Sequence, residues 1–376
     1  MRITGAKVFD QKDGFVQRDL LIAEGRLADH SDDDVVVDGA GCYAIPGLTD
    51  LHFHGCMGED FSDGTPEGLA KIADYQLSRG VTQFCPAGMT LAREQLVKIC
   101  QVAAAHKKNA VSGADLVGVN LEGPFLSYAK RGAQNPEWLQ KPNLPQPEEL
   151  MAASEGLVRL VSVAPEVEGA LDFIPGASKL ATVSLAHTTA DYDTAMAAFR
   201  AGASHVTHLF NAMPPFAHRD PGVVGAASDS GVNVELICDG VHIHPSVIRA
   251  VFRLFGRDRV ILISDSLRAT GMPDGRYPFR GPEIEVHGNR ATMVGAPDTL
   301  AGSVSDLMAC VKTAVSFGIP LADAVTAAAV NPAKVLGIYD RVGSLDTGKD
   351  ANVAVLDENL NLKAVLFHGS VAAGSL

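Results

Sequence analysis

Eight apolar runs recur between residues 48 and 265, most of them closing on polar residues, and no other feature restricts the fold as much. They are 48–54 (LTDLHFH), 81–85 (VTQFC), 116–122 (LVGVNLE), 157–163 (LVRLVSV), 180–187 (LATVSLAH), 205–209 (HVTHL), 232–238 (VNVELIC) and 259–265 (RVILISD). Several are almost continuously apolar, as strands covered on both faces must be. Helical stretches separate them. Residues 66–79 follow Thr65, begin at Pro66 and stop at Gly80, so cap, first-turn proline and terminal glycine agree. Residues 92–107, 191–201 and 245–255 obey the same logic. Strands and helices alternating in this way predict an α/β protein, a (β/α)8 barrel.

The chain ends read differently. Before Pro46 only short strands are expected, at 2–9 and 15–23. After the eighth run, 277–295 reads as a β-hairpin insertion, 303–317 and 321–329 as helices, and 343–370 as short strands. The expected organisation is a small β-sandwich built from residues 1–45 and 343–376, beside a catalytic barrel over 46–342. A length of 376 residues suits one large domain with a small companion.

Composition narrows the function. Lys and Arg number 31 against 44 Asp and Glu, a net charge of −13, which argues against a nucleic-acid or anionic-membrane surface. A single Arg or His can still hold a phosphate. No segment has the roughly 18–20 apolar residues of a membrane span, and MRITGAKVFDQKDG lacks the pattern of a signal peptide. The six cysteines form no CxxC pair and are expected as free thiols in a reducing cytoplasm.

A barrel presents its chemistry at the C-terminal ends of its strands. His52 and His54 close the first run, and residues i and i+2 of a strand share a face. Glu122 closes the third run, His187 the fifth, His208 the sixth and Asp265 the eighth. A lone strand-end histidine is usually a hydrogen-bonded core residue, and His30, His106, His205, His218, His287 and His368 are read that way. Four histidines and two carboxylates that agree in position form a metal-ligand set suited to Zn²⁺, Fe²⁺ or a similar ion.

PGLTDLHFHG resembles the opening strand of the amidohydrolase superfamily. LEGPF, KRGAQNPEW, THLFNAMPP, HRDPG, DGVHIHP and ISDSLRATGMPDG, in that order, resemble its N-acetylglucosamine-6-phosphate deacetylase family over nearly the whole chain. The resemblance implies metal-dependent release of acetate from an amino sugar phosphate. It implies that Glu122, His187 and His208 bind the principal ion, and that His52 and His54 can hold a second. Zn²⁺ is favoured, with Fe²⁺, Mn²⁺ and Co²⁺ open. Asp265 is implied as the base that takes a proton from water and returns it to the departing amine. Ala133, Gln134, Asn211, Ala212, His242 and the Leu300–Ala301–Gly302 loop are implied sugar contacts. Arg219 is the implied phosphate ligand, supplied by the neighbouring subunit of a homodimer.

Two departures stand out. Gln134 occupies a position where the best-known members carry histidine, and Gln cannot become cationic. Ser264 replaces the commoner threonine. The alternatives are the galactosamine epimer, an N-acyl amino acid deacylase, and a non-catalytic scaffold, which would typically have lost some of the six ligands.

Overall fold

A computed structural model describes residues 1–31, 35–279 and 283–375. Among these, eight parallel strands alternate with helices around a barrel: Leu48–Asp50, Val81–Phe84, Val119–Phe125, Val158–Val163, Thr182–Leu185, His205–Val206, Asn233–Ile237 and Val260–Ile263. The first two pair with each other, and the third to eighth pair in sequence. Ala87–Gly88, just past the second strand, joins the third and links the two sheets. The ring closes between the eighth strand and the first. There Asp265 N–H donates to His52 O at 3.0 Å, and Ser264 Oγ donates to Asp50 Oδ2 at 2.5 Å.

The strands are shorter than the apolar runs. His52 and His54 follow the first strand rather than lying in it, and Glu122 stands inside the third strand rather than at its end. His187, His208 and Asp265 each come two residues after a strand, with φ of 44°, 28° and 47°. Such left-handed residues cannot continue a β ladder. The chain therefore turns out of each strand where its ligand residue projects.

The expected helices are present as Pro66–Ser78, Arg93–Asn109, Tyr192–Ala201, Pro245–Phe255, Leu307–Ser316 and Leu321–Val325. Three more, Pro145–Ala153, Ala170–Ala177 and Gly222–Ser230, escape the sequence pattern because proline, glycine and alanine blur their periodicity. Among the described residues, no helix is long and apolar enough to cross a membrane.

Strands from both chain ends form one sheet. Val353–Leu356 pairs antiparallel with Tyr43–Pro46, which pairs with Arg2–Asp10. The tail strands Leu362–Phe367 and Ser370–Gly374 extend one side, and Gly14–Ala23 and Arg26–Ala28 the other. Residues 32–34 and 376 of the expected sandwich lie outside the described residues. The insertion is larger than a hairpin. It is an antiparallel sheet of four strands, Gly275–Pro278, Glu283–His287, Arg290–Met293 and Ala296–Leu300. Its last strand, APDTL, is largely exposed and shows no apolar alternation to announce it. Residues 280–282 of the expected hairpin lie outside the described residues.

Gly47 alone separates the end sheet from the first barrel strand. A Cβ there would stand 2.0 Å from Thr82 Oγ1 on the second strand. Gly47→Ala is expected to cost about 1–3 kcal/mol, as overpacking does, and to lower the thermal unfolding midpoint. An unchanged midpoint would show that this junction yields.

Candidate functional site

The six ligand residues converge. Glu122 lies at their centre and is buried. Its Oε1 is 3.1 Å from His187 Nε2 and 3.0 Å from His208 Nε2. Its Oε2 is 3.3 Å from His54 Nε2 and accepts from Gln134 Nε2 at 2.7 Å. Asp265 Oδ1 is 3.3 Å from His54 Nε2 and 3.9 Å from His52 Nε2. Two donor clusters result, Glu122–His187–His208 and His52–His54–Asp265, each with its ligand atoms within 4.8 Å of one another.

The hydrogen bonds assign the ring nitrogens. His52 Nδ1 donates to Glu235 Oε2 at 2.8 Å, His54 Nδ1 to Ala87 O at 3.2 Å, and His187 Nδ1 to Lys130 O at 2.8 Å. With Nδ1 so engaged, each Nε2 faces the centre of the site, where it donates to the carboxylates while the ring is protonated and offers a metal-binding lone pair once that proton is lost. His52 Nε2 is fully buried and has no hydrogen-bond partner. The residues present therefore fit a divalent cation.

Electrostatics point the same way. Burial disfavours ionised Glu122, yet the charge of His52 and hydrogen bonds from His187, His208 and His54 hold it well below the usual carboxylate range. Asp265 is also lowered: burial opposes this, and the His54 hydrogen bond outweighs it. Burial would lower His52, but Glu235 and Glu122 raise it to about 9. Protons or a divalent cation must balance the buried carboxylates, because unpaired charge in such surroundings is costly.

A cavity of about 410 Å³ opens above the clusters. Ala133, Gln134, Asn211, Ala212, His242, Leu300 and Gly302 line it. His242 is fixed by Asp239, whose Oδ2 lies 2.7 Å from Nδ1. Gly302 has φ of 51°, and a Cβ there would meet Asp265 O at 2.8 Å, so only glycine brings this loop so close to Asp265. Ala301 does not face the cavity. It packs with Leu267, Phe279 and Ile284 under the insertion. Arg219 is exposed outside the cavity, with its guanidinium 2.7 Å from His218 Nε2.

Residues 43–372 match the amidohydrolase family. This chain belongs to the amidohydrolase family. It is 36% identical to bovine N-acetylglucosamine-6-phosphate deacetylase, over 94% of this chain and 87% of the relative. It is 34% identical to N-acetylgalactosamine-6-phosphate deacetylase of Escherichia coli O157:H7, over 87% of each. Its fold superimposes on an aspartate-to-alanine variant of N-acetyl-D-glucosamine-6-phosphate deacetylase from Mycobacterium smegmatis, in complex with N-acetyl-D-glucosamine-6-phosphate. The TM-score is 0.92, with 32% identity and 99% of both chains covered.

Sequence reasoning missed three residues of this amidohydrolase site. Lys130 lines the cavity, and Asp239 orients His242. Glu235 holds His52, and its only signal was a charge inside the apolar run VNVELIC.

Gln134 is clamped at both ends. Thr90 N–H donates to its Oε1 at 2.7 Å, which turns its amide N–H toward Glu122. Gln134→Ala is expected to weaken divalent-cation binding about 10–100-fold, as loss of a ligand's hydrogen-bond partner does. Calorimetric titration of metal-free protein checks this, and unchanged affinity would contradict it.

Proposed function

We propose that this amidohydrolase hydrolyses N-acetyl-D-glucosamine 6-phosphate to D-glucosamine 6-phosphate and acetate, in amino sugar catabolism or wall recycling. One observation carries the reading: Asp265 stands beside His54, where the two donor clusters meet under a cavity lined by Asn211, Ala212 and His242. The relatives named for this activity support it.

Glu122, His187 and His208 would hold one divalent ion, and His52, His54 and Asp265 a second. Zn²⁺ is favoured, ahead of Fe²⁺, Mn²⁺ and Co²⁺. When bound, such an ion supplies Lewis-acid polarisation and lowers the pKa of water toward about 7. Asp265 takes a proton as the water oxygen bonds to the acetamide carbon. It returns that proton to nitrogen as the C–N bond breaks, so the amine leaves neutral. Gln134 orients Glu122 and borders the acetamide. Asn211, Ala212, Ala133, His242, Leu300 and Gly302 bind the sugar phosphate.

The phosphate is completed from a second copy. Arg219 lies outside its own cavity, and a groove of about 530 Å³ lined by Met213, Phe216, Val247 and Leu254 shares His242 with the site. Phe216 is 51% exposed there. A homodimer that covers this groove would carry Arg219 to the neighbouring cavity, where a guanidinium engages phosphate bidentately. We place the enzyme in the cytoplasm, where its phosphorylated substrate is made. The Escherichia coli relative keeps a second reading in view, the C4-epimeric galactosamine phosphate.

Acetate release is the direct test, with protein reconstituted separately with Zn²⁺, Fe²⁺ and Mn²⁺. The expected result is turnover of N-acetylglucosamine 6-phosphate well above that of its galactosamine epimer and of the unphosphorylated sugar. Indifference to phosphate, or inactivity with every ion, would overturn the substrate. Asp265→Asn is expected to lower kcat about 10²–10⁴-fold, the range for a lost general acid–base, and normal turnover would remove Asp265 from that role. Arg219→Ala is expected to raise KM about 10–100-fold, from loss of a charge-assisted hydrogen bond, with the dimer mass retained. An unchanged KM would detach Arg219 from the phosphate.

A further inference from the structure

Glu235 is fully buried in the strand Asn233–Ile237 and belongs to neither donor cluster. Alternation along the strand puts it on the face of Ile237, which lines the cavity, so its carboxylate points into the barrel. An ionised carboxylate in such surroundings persists only where hydrogen bonds or charges compensate it. The compensation here is specific. One oxygen, Oε2, accepts from His52 Nδ1 at 2.8 Å and from His208 N–H at 3.0 Å. Oε1 has no hydrogen-bond partner and lies 3.8 Å from His205 Nδ1.

Each of the two contacts serves a different cluster. The bond to His52 fixes the ring with Nε2 facing Glu122 and Asp265. The bond to His208 anchors a backbone held at φ 28°, a conformation non-glycine residues rarely adopt, and so aims Nε2 at Glu122. If Oε2 moves, both clusters lose a ligand's orientation together.

We propose that Glu235 is a positioning residue that couples loading of the two cation positions. The proposal rests on the two-ion reading above. Its agent is the location of a single oxygen atom rather than the negative charge. Glu235→Gln can keep an oxygen at the Oε2 position. Glu235→Asp keeps the charge but, one methylene shorter, withdraws the oxygen from both partners.

The test is titration of metal-free protein with Co²⁺, followed by calorimetry and by the visible absorption of each bound equivalent. Wild type should take up two equivalents. Glu235→Asp should weaken both by about 10–100-fold, and Glu235→Gln should stay within a few-fold of wild type. Acetate release by the wild type, assayed beside the titration, reports on the proposed function separately. The proposal is overturned if wild type binds one equivalent, or if Glu235→Asp weakens only one. It is equally overturned if Glu235→Gln loses as much as Glu235→Asp. Near-ultraviolet circular dichroism identifies a variant that has failed to fold; in that event Glu235→Ala, which also removes the Oε2 acceptor, takes the place of Glu235→Asp and should weaken both equivalents, and a loss confined to one overturns the proposal.

Discussion

The arrangement of the site depends on the buried carboxylate of Glu122. Its two oxygens face opposite ways, one toward His187 and His208, the other toward His54 and Gln134. Ionised carboxylate in a protein interior is expensive unless it is paired. The imidazoles around it compensate that cost, and their geometry requires four different barrel strands to end near one point.

The closure of the barrel serves the same purpose. The first and eighth strands meet through Asp265 N–H and His52 O, so the seam of the ring is also the place where proposed base and ligand sit side by side. Ser303 N–H donates to Asp265 O at 2.8 Å, which ties the insertion and its Leu300–Gly302 loop to that residue. One backbone segment is thus held from both sides. The left-handed conformations of His187, His208 and Asp265 recur at three strand ends. Backbone strain of this kind concentrates at functional sites, where surrounding structure over-determines it.

Outside the barrel, the single sheet built from both chain ends places Tyr43–Pro46 directly before the first barrel strand. With Gly47 as the only spacer, the strand that leads to His52 and His54 continues directly from that sheet. The groove beside His242 leaves apolar surface uncovered at Phe216 and Leu254.

The alternation of apolar runs and capped helices was legible because periodicity and capping act within a few residues of chain. His52, His54, Glu122, His187, His208 and Asp265 were legible for the same reason, as polar residues closing or interrupting those runs. The strand ends were not, because three ligand residues leave the ladder with positive φ, a consequence of packing at the mouth of the barrel. The four-stranded insertion was only half visible, since APDTL is exposed and carries no alternation. Glu235 had no local signature beyond a charge in an apolar strand. Its partners are 183 residues away at His52 and 27 away at His208. Gln134 was read as a sugar contact, and only the folded chain brought Thr90 to one end of its amide and Glu122 to the other. Sequence by itself determined the barrel and the identity of its donors, which depend on local pattern and residue chemistry. Tertiary structure alone decided which atoms face one another, because hydrogen bonds between distant strands exist only once the ring has closed.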